Sequence, residues 1–258
     1  MRLNKFLSKA GVASRRRADE LIRIATTTVN GRLCLDPAYN VEKGDVVRYD
    51  DRLVKIDDKT VTILLNKPLG VITTVKDTHN RKTVIDCVSV NTRVFPIGRL
   101  DKNTTGAILL TNDGELHQLL SHPRNEVEKD YEVIIEDSIS KIQKEKLKKG
   151  IYIGFREYGR AQVLSQIKLK KRWKVLLRLR QGKKREIRRI FYRLKISLIS
   201  INRVKISGLG LGSLKPGDFR FLDKKEVREL KKNDNWKKLG FNYSKAKFAG
   251  LLRIKYLW

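Results

Sequence analysis

Cysteine is scarce in this 258-residue chain, which holds only Cys34 and Cys87. Neither sits in a C-x-x-C pair, so neither a disulfide framework nor a zinc site is indicated, and a reducing compartment is expected. The three histidines, His79, His117 and His122, lack metal-ligand spacing and read as ordinary surface or loop residues, so no metal is expected. No run approaches the roughly 18 apolar residues of a membrane-spanning helix, and no apolar signal stretch follows the first residues. Neither a membrane nor secretion is expected, and the cytoplasm is the expected location. Internal repeats and low-complexity tracts are also missing. Acidic side chains are few: 28 Asp and Glu stand against 58 Lys and Arg, a formal net charge of +30.

A chain this basic repels itself, and a polyanion whose counterions are released on binding relieves that repulsion. Nucleic acid is the favoured partner, although charge alone does not separate RNA from DNA or anionic lipid, or from a plain compositional bias. The length suits one large domain, or a large one with a small one, and a 40% hydrophobic content supports a core.

The first fifty residues form a pattern of their own. Leu3, Phe6, Leu7 and Ala10 recur at helical spacing and stop at Gly11, and Ser14 is placed to cap a second helix carrying Ala18, Leu21 and Ile22. TTTVNGRL sets an Asn-Gly turn between short β-like runs, and VEKGDVVRYD supplies another strand. Lys5, Lys9, Arg15, Arg16, Arg17 and Arg23 make either a basic face that tracks a phosphate backbone or an ordinary solvated one. RLNKFLSKAGVASRRRADELI followed by TVNG resembles the small RNA-binding domain of ribosomal small-subunit protein four, the alpha-L motif. The acid-free N-terminus would also suit an organellar transit peptide, but these residues are already used by the helices of that domain.

DDRLVKIDDKT is charged and lacks an apolar stripe, which predicts a linker over 51–60. Beyond it, VTILLNKP, YEVIIE and WKVLLRLR read as strands, while NDGELHQLL, DSISKIQKEKLKKG and REIRRIFYRL read as helices, a mixed α+β pattern. The last segment interleaves Lys and Arg with Trp236, Phe241, Tyr243, Phe248, Tyr256 and Trp258, which suits either RNA stacking or a tail helix packed on the body.

FPIGRLDKNTTGAILLTNDGEL, residues 95–116, places Asp101 between Arg99 and Lys102. Such an aspartate caps a turn or pairs with a neighbour in the bland case. The flanking PIG and TTG fix a loop, however, and the AILLT strand supplies a rigid support. A carboxylate among cations keeps a depressed pKa and stays ionised, which suits a nucleophile or base acting on electron-poor carbon.

GRLDKNTTGAILLTNDGEL resembles the signature of pseudouridine synthases of the RsuA/RluB type, which modify ribosomal RNA. LLNKPLGVITT, EKDYEV and GKKREIRRIF are similar, in order, to the other motifs of that family. The resemblance, running over about residues 1–222, implies an alpha-L domain over 1–50, a linker over 51–60, a mainly antiparallel mixed-sheet catalytic domain over 61–222 and a basic aromatic tail over 223–258. It also implies action on ribosomal RNA or a ribosome-assembly intermediate without cofactor or metal, and a monomer is expected; the charge, the N-terminal module and Glu186 favour large-subunit over small-subunit RNA. Asp101 would be the catalytic carboxylate, Arg99 would help displace the target nucleotide, and Tyr131 would stack on the uracil. Arg188 would pair with Asp101, Ile187 would pack beneath the base, and Lys67, Arg185 and Arg189 would shape or line the substrate site. Each role has a plainer rival: Tyr131 as a strand residue filling the core, Arg188 as one more phosphate contact. Two departures from the family pattern are Glu186, where glutamine is common, which is expected to alter local RNA contacts, and Ala107, where a larger aliphatic residue is usual. The rivals from other classes are a non-catalytic assembly factor and a metal-dependent nuclease, and the scattered acids disfavour the second.

Overall fold

The computed structural model describes residues 1–57 and 59–232. The chain forms two compact units, residues 1–61 with 89–94 and residues 62–88 with 95 onward.

In the first unit, α1 (Leu3–Lys9) and α2 (Arg15–Arg23) pack on a four-stranded antiparallel sheet. The Ser14 hydroxyl accepts the Arg17 N–H at 3.2 Å, so the predicted cap of α2 is made. The sheet order is β2 (Arg32–Leu33), β1 (Thr27–Val29), β3 (Val47–Tyr49) and β4 (Arg52–Leu53). Leu3, Leu7, Ala18, Ile22, Val29, Val41 and Val47 form its core, the helical and alternating periodicities meeting on one side. Residues 52–53, expected to open the linker, are instead strand β4 paired with β3. Asp50 and Asp51 both take left-handed backbone, φ 44° and 60°, and aspartate tolerates that conformation well enough to make a two-residue hairpin turn without glycine.

The second unit is built on a nine-stranded sheet. Its path runs β11 (Gln162–Lys168), β12 (Trp173–Leu179), β8 (Lys129–Ile135), β13 (Leu198–Ile206), β7 (Thr105–Thr111), β5 (Thr62–Lys67) and β15 (Phe219–Phe221). β6 (Phe95–Ile97) hangs on β7, and β14 (Leu209–Gly210) on β13. Among the described residues every pairing in this sheet is antiparallel except β13 with β7. A separate hairpin joins β9 (Ile151–Gly154) and β10 (Glu157–Gly159).

The second unit holds two cores. One gathers Val133, Val175, Leu177 and Ile201 of the sheet under α4 (Lys141–Lys149) and α5 (Glu186–Leu194), with Leu147, Ile187, Ile190 and Phe191 as the helical contribution. The other gathers Leu64, Ala107, Leu109 and Ile206 under α3 (Gly114–Ser121) and α6 (Lys224–Lys232), through Leu116, Leu120 and Leu230. The predicted caps are made here too: Asp113 accepts the Glu115 and Leu116 N–H groups, and Ser140 with Gln143 forms a capping box. α6 falls where the sequence predicts only a tail. Its Leu230 is buried, and Lys231 pairs with Asp113 at 2.8 Å. The aromatic residues from Trp236 to Trp258 lie outside the described residues.

Gly106 makes the parallel β7–β13 seam possible. Its φ is +103°, and a Cβ there would sit 2.2 Å from the Arg203 carbonyl oxygen and 2.4 Å from Asn202 Oδ1. Only a residue without a side chain lets β7 and β13 close to ladder distance at this point. No helix among the described residues is long and apolar enough to cross a membrane.

Candidate active site

Asp101 lies on the loop between β6 and β7, and the backbone carbonyls of residues 100–104 are all held. The Thr73 hydroxyl donates to the Leu100 carbonyl at 2.8 Å and accepts the Leu100 N–H at 3.2 Å. The Thr104 N–H donates to the Asp101 carbonyl, and the Gly70 N–H to the Lys102 carbonyl, both at 3.0 Å. Beneath them Lys67 Nζ donates to the carbonyls of Pro68, Lys102 and Thr104 at 3.0, 3.4 and 2.8 Å.

Lys67 is expected to shape or line the substrate site, and its place beneath the Asp101 loop suits the first of these. Its side chain is wholly buried, and its ammonium is engaged by loop carbonyls. Burial lowers its pKa to about 8, and the neighbouring Asp101 offsets part of that fall. Lys67 acts on the site only through the loop that carries Asp101.

The Asp101 carboxylate is 39% exposed, with Arg188 Nε 3.9 Å and Arg185 Nη1 4.0 Å from Oδ2. Both are long contacts, beyond hydrogen-bond reach. Arg188 is anchored instead by Nη2, which donates to the Asn103 carbonyl at 2.6 Å, while its Nε is buried with no hydrogen-bond partner. Burial lowers the Arg188 pKa, as does Arg185, while Asp101 raises it. The site therefore holds two guanidinium groups beside one carboxylate, with the nearer cation fixed to the same loop.

A cleft of about 630 Å³ opens above Asp101, within the roughly 300–1,000 Å³ typical of small-ligand sites. Arg99, Tyr131, Arg185, Ile187 and Arg188 line it with Asp101. His122, read from sequence as an ordinary loop residue, is exposed in a loop and also reaches this rim.

Two further lining residues are Arg203 and Lys129. Arg203 lies directly across the β8–β13 ladder from Tyr131. It is 3% exposed, its Nε donates to the Ala107 carbonyl at 2.6 Å, and its Nη2 is buried without a partner. Its Nη1 donates to the Tyr131 hydroxyl at 3.5 Å, and the guanidinium carbon is 6.0 Å from the ring centroid. Lys129 lies two residues before Tyr131 on β8, hence on the same face. Burial lowers its pKa to about 8, the charge of Arg203 adding to the shift. The alternation along β8 could have found Lys129. Nothing local could have found Arg203.

One expectation fails on geometry. Arg189 is absent from the cleft: its Nε and Nη2 donate to the Ile153 and Gly154 carbonyls at 2.9 and 2.7 Å, and Nη1 pairs with Glu157 at 2.6 Å. It clamps the β9–β10 turn because residues 188 and 189 lie about 100° apart on a helix and face different neighbours. Glu186, expected to alter local RNA contacts, lines the cleft but is only 4% exposed, and its carboxylate accepts the N–H groups of Lys183 and Arg160 at 3.1 and 3.4 Å. Burial raises its pKa, and its task is to close the turn that precedes α5.

In the first unit Lys5, Lys9, Arg15, Arg16, Arg17 and Arg23 are all exposed. Arg17 is engaged with Glu20 at 2.7 Å.

Both units are similar to known proteins. Residues 61–192 match the model of the family described as RNA pseudouridylate synthase, and residues 1–47 match the S4 domain. The ribosomal large subunit pseudouridine synthase B of Bacillus subtilis is 36% identical over 89% of this chain and 95% of its own length. The dual-specificity RNA pseudouridine synthase RluF of Escherichia coli K12 is 32% identical over 89% of this chain and 78% of its own. A crystal structure described as a pseudouridylate synthase superposes with a TM-score of 0.63 at 25% identity, over 89% of this chain and 99% of that one. With the family model matched over half its length, and an S4 domain before it, the chain belongs to the RNA pseudouridylate synthase family.

Proposed function

We propose that this protein converts a uridine in ribosomal RNA to pseudouridine, with Asp101 as the carboxylate that attacks the target nucleotide. The observation that carries the reading is the Asp101 loop itself, an ionisable carboxylate on a backbone pinned from both sides, flanked by Arg185 and Arg188, at the floor of a cleft shared with Tyr131. Ribosomal RNA as the substrate, and the large subunit in particular, is supported by the name of the Bacillus subtilis relative.

In the reaction the bond between the ribose C1′ and N1 of uracil breaks, a bond from C1′ to C5 forms, and the C5 hydrogen leaves as a proton while N1 gains one. The base must first leave its stack, at a cost of a few kcal/mol that is least in loops and single strands. The cations around the cleft offset that cost by holding phosphates. Asp101 acts on the ribose carbon, on C6 of the uracil, or on a sugar proton, with the guanidinium groups of Arg188 and Arg185 at 3.9 and 4.0 Å from its Oδ2. Tyr131 supplies an aromatic wall and Ile187 an apolar floor for the detached base, which must turn without escaping. The exposed cations of α1 and α2 serve recruitment, as phosphate contacts that set affinity.

The test is Asp101→Asn, which keeps the shape and removes the nucleophile. RNA binding is retained and tritium release from C5-labelled uridine in ribosomal RNA is abolished. Sustained release by the variant refutes the assignment. Running the assay separately on each ribosomal RNA reads out subunit choice at the same time.

A further inference from the structure

Away from the cleft, the β9–β10 hairpin and the outer side of α5 expose four aromatic rings. Tyr152, Phe155, Tyr158 and Tyr192 are 46, 90, 55 and 79% accessible. Rings of this size are normally withdrawn from water, so four on one small supersecondary unit call for a partner.

The unit is built to present them. Phe155 and Arg156 form the hairpin tip with φ of 54° and 57°, a left-handed pair that Asn-Gly would adopt more easily than Phe-Arg. The turn is held by Arg189, which donates to the Ile153 and Gly154 carbonyls and lies 5.3 Å from the Phe155 ring centroid. Arg193, one helical turn on, lies 5.7 Å from the Tyr152 ring, and Tyr152 meets Tyr158 edge to face at 5.5 Å. Gly159 lets the hairpin seat on α5, since a Cβ there would come within 2.8 Å of Ile190 Cγ1. The exposed cations nearby are Arg156, Arg160, Arg185 and Arg193. The hairpin's acid, Glu157, is neutralised by Arg189.

We infer that this hairpin and α5 form a second RNA site, a stacking platform for unpaired bases that flank the uridine held in the cleft. Rigid, exposed rings backed by guanidinium groups bind single strands with little regard to sequence, because every base has a π-face. The net positive charge around the rings fits phosphates and disfavours a basic or apolar partner. The platform is continuous with the cleft: Lys183 and Arg185 line the cleft, and Lys183 Nζ also donates to the Tyr158 carbonyl at 2.5 Å. As a site for flanking bases the platform rests on the reading of the cleft given above; as a site for single strands it does not.

The experiment is a titration of the full chain with fluorescein-labelled poly-uridine and with an RNA duplex of equal length, for the wild type, Phe155→Asn and the double variant Phe155→Asn/Tyr192→Ala. Asparagine is at ease in the left-handed turn, so the variants keep the fold. Affinity for the single strand falls about tenfold for each ring removed, duplex affinity and the salt slope hold because no cation is removed, and Phe155→Tyr restores binding. With ribosomal RNA as substrate, KM rises while kcat holds. Unchanged single-strand affinity overturns the platform, as it would if the rings dock a protein, and so does an equal loss for both probes. A wild type that releases no C5 tritium yet shows ring-dependent single-strand binding sinks the catalytic reading and upholds the platform.

Discussion

Arg188 is tied by Nη2 to the Asn103 carbonyl at 2.6 Å while its Nε stands 3.9 Å from the Asp101 carboxylate. The guanidinium fork therefore does two things at once: it fastens the loop and keeps a positive charge beside the carboxylate. A lysine ammonium is a point charge and cannot occupy both places. Arg188→Lys is expected to lower kcat about 100-fold by shifting the carboxylate, with RNA affinity retained. Single-turnover tritium release at saturating RNA checks this, and an unchanged rate would reduce Arg188 to a phosphate contact.

Gly106→Ala tests the seam. The added methyl would lie 2.2 Å from the backbone of Arg203, and φ at +103° strains any L side chain. Because backbone on both strands must part, the loss is expected to exceed about 3 kcal/mol in urea unfolding. A soluble variant with wild-type stability would mean that the two halves of the sheet meet less tightly.

The pH dependence of stability follows from Lys67. Burial holds its folded pKa at about 8 against an ordinary value of 10.5. Between those values the unfolded chain keeps a proton that the folded chain has released, so the contribution of this group to stability rises with pH across the window. Lys67→Met removes that slope. Urea titrations of both proteins from neutral to alkaline pH are expected to show the wild type gaining on the variant, and a constant difference would mean that Lys67 titrates as an ordinary lysine.

Arg15 and Arg16 are exposed on α2. If they meet phosphates, Arg15→Gln/Arg16→Gln reduces the slope of log K against log salt by about 1 for each phosphate no longer neutralised. Filter binding across a salt series measures it. An unchanged slope would leave these residues as an ordinary solvated helix face.

How much could be read in advance depended on how far apart the partners are in the chain. Ser14, Asp113 and Ser140 mark helix starts through bonds to residues two or three positions on, so local sequence sufficed. β4 was missed because two aspartates replace the usual glycine at its turn. Arg188 and Arg189 stand side by side in one motif, and a linear motif does not say which of two adjacent cations faces the cleft and which turns to the fold.

The sequence by itself determined the charge that favours a polyanionic partner, the alternation and helical periods of the elements, and the loop that carries Asp101. Only the tertiary structure decided what surrounds that carboxylate. Arg203 meets Tyr131 across 72 residues of chain, and Arg188 reaches Asn103 across 85. Such contacts come from strand register and from the close approach at Gly106, and register is set by the burial of whole strands rather than by any one residue's neighbours.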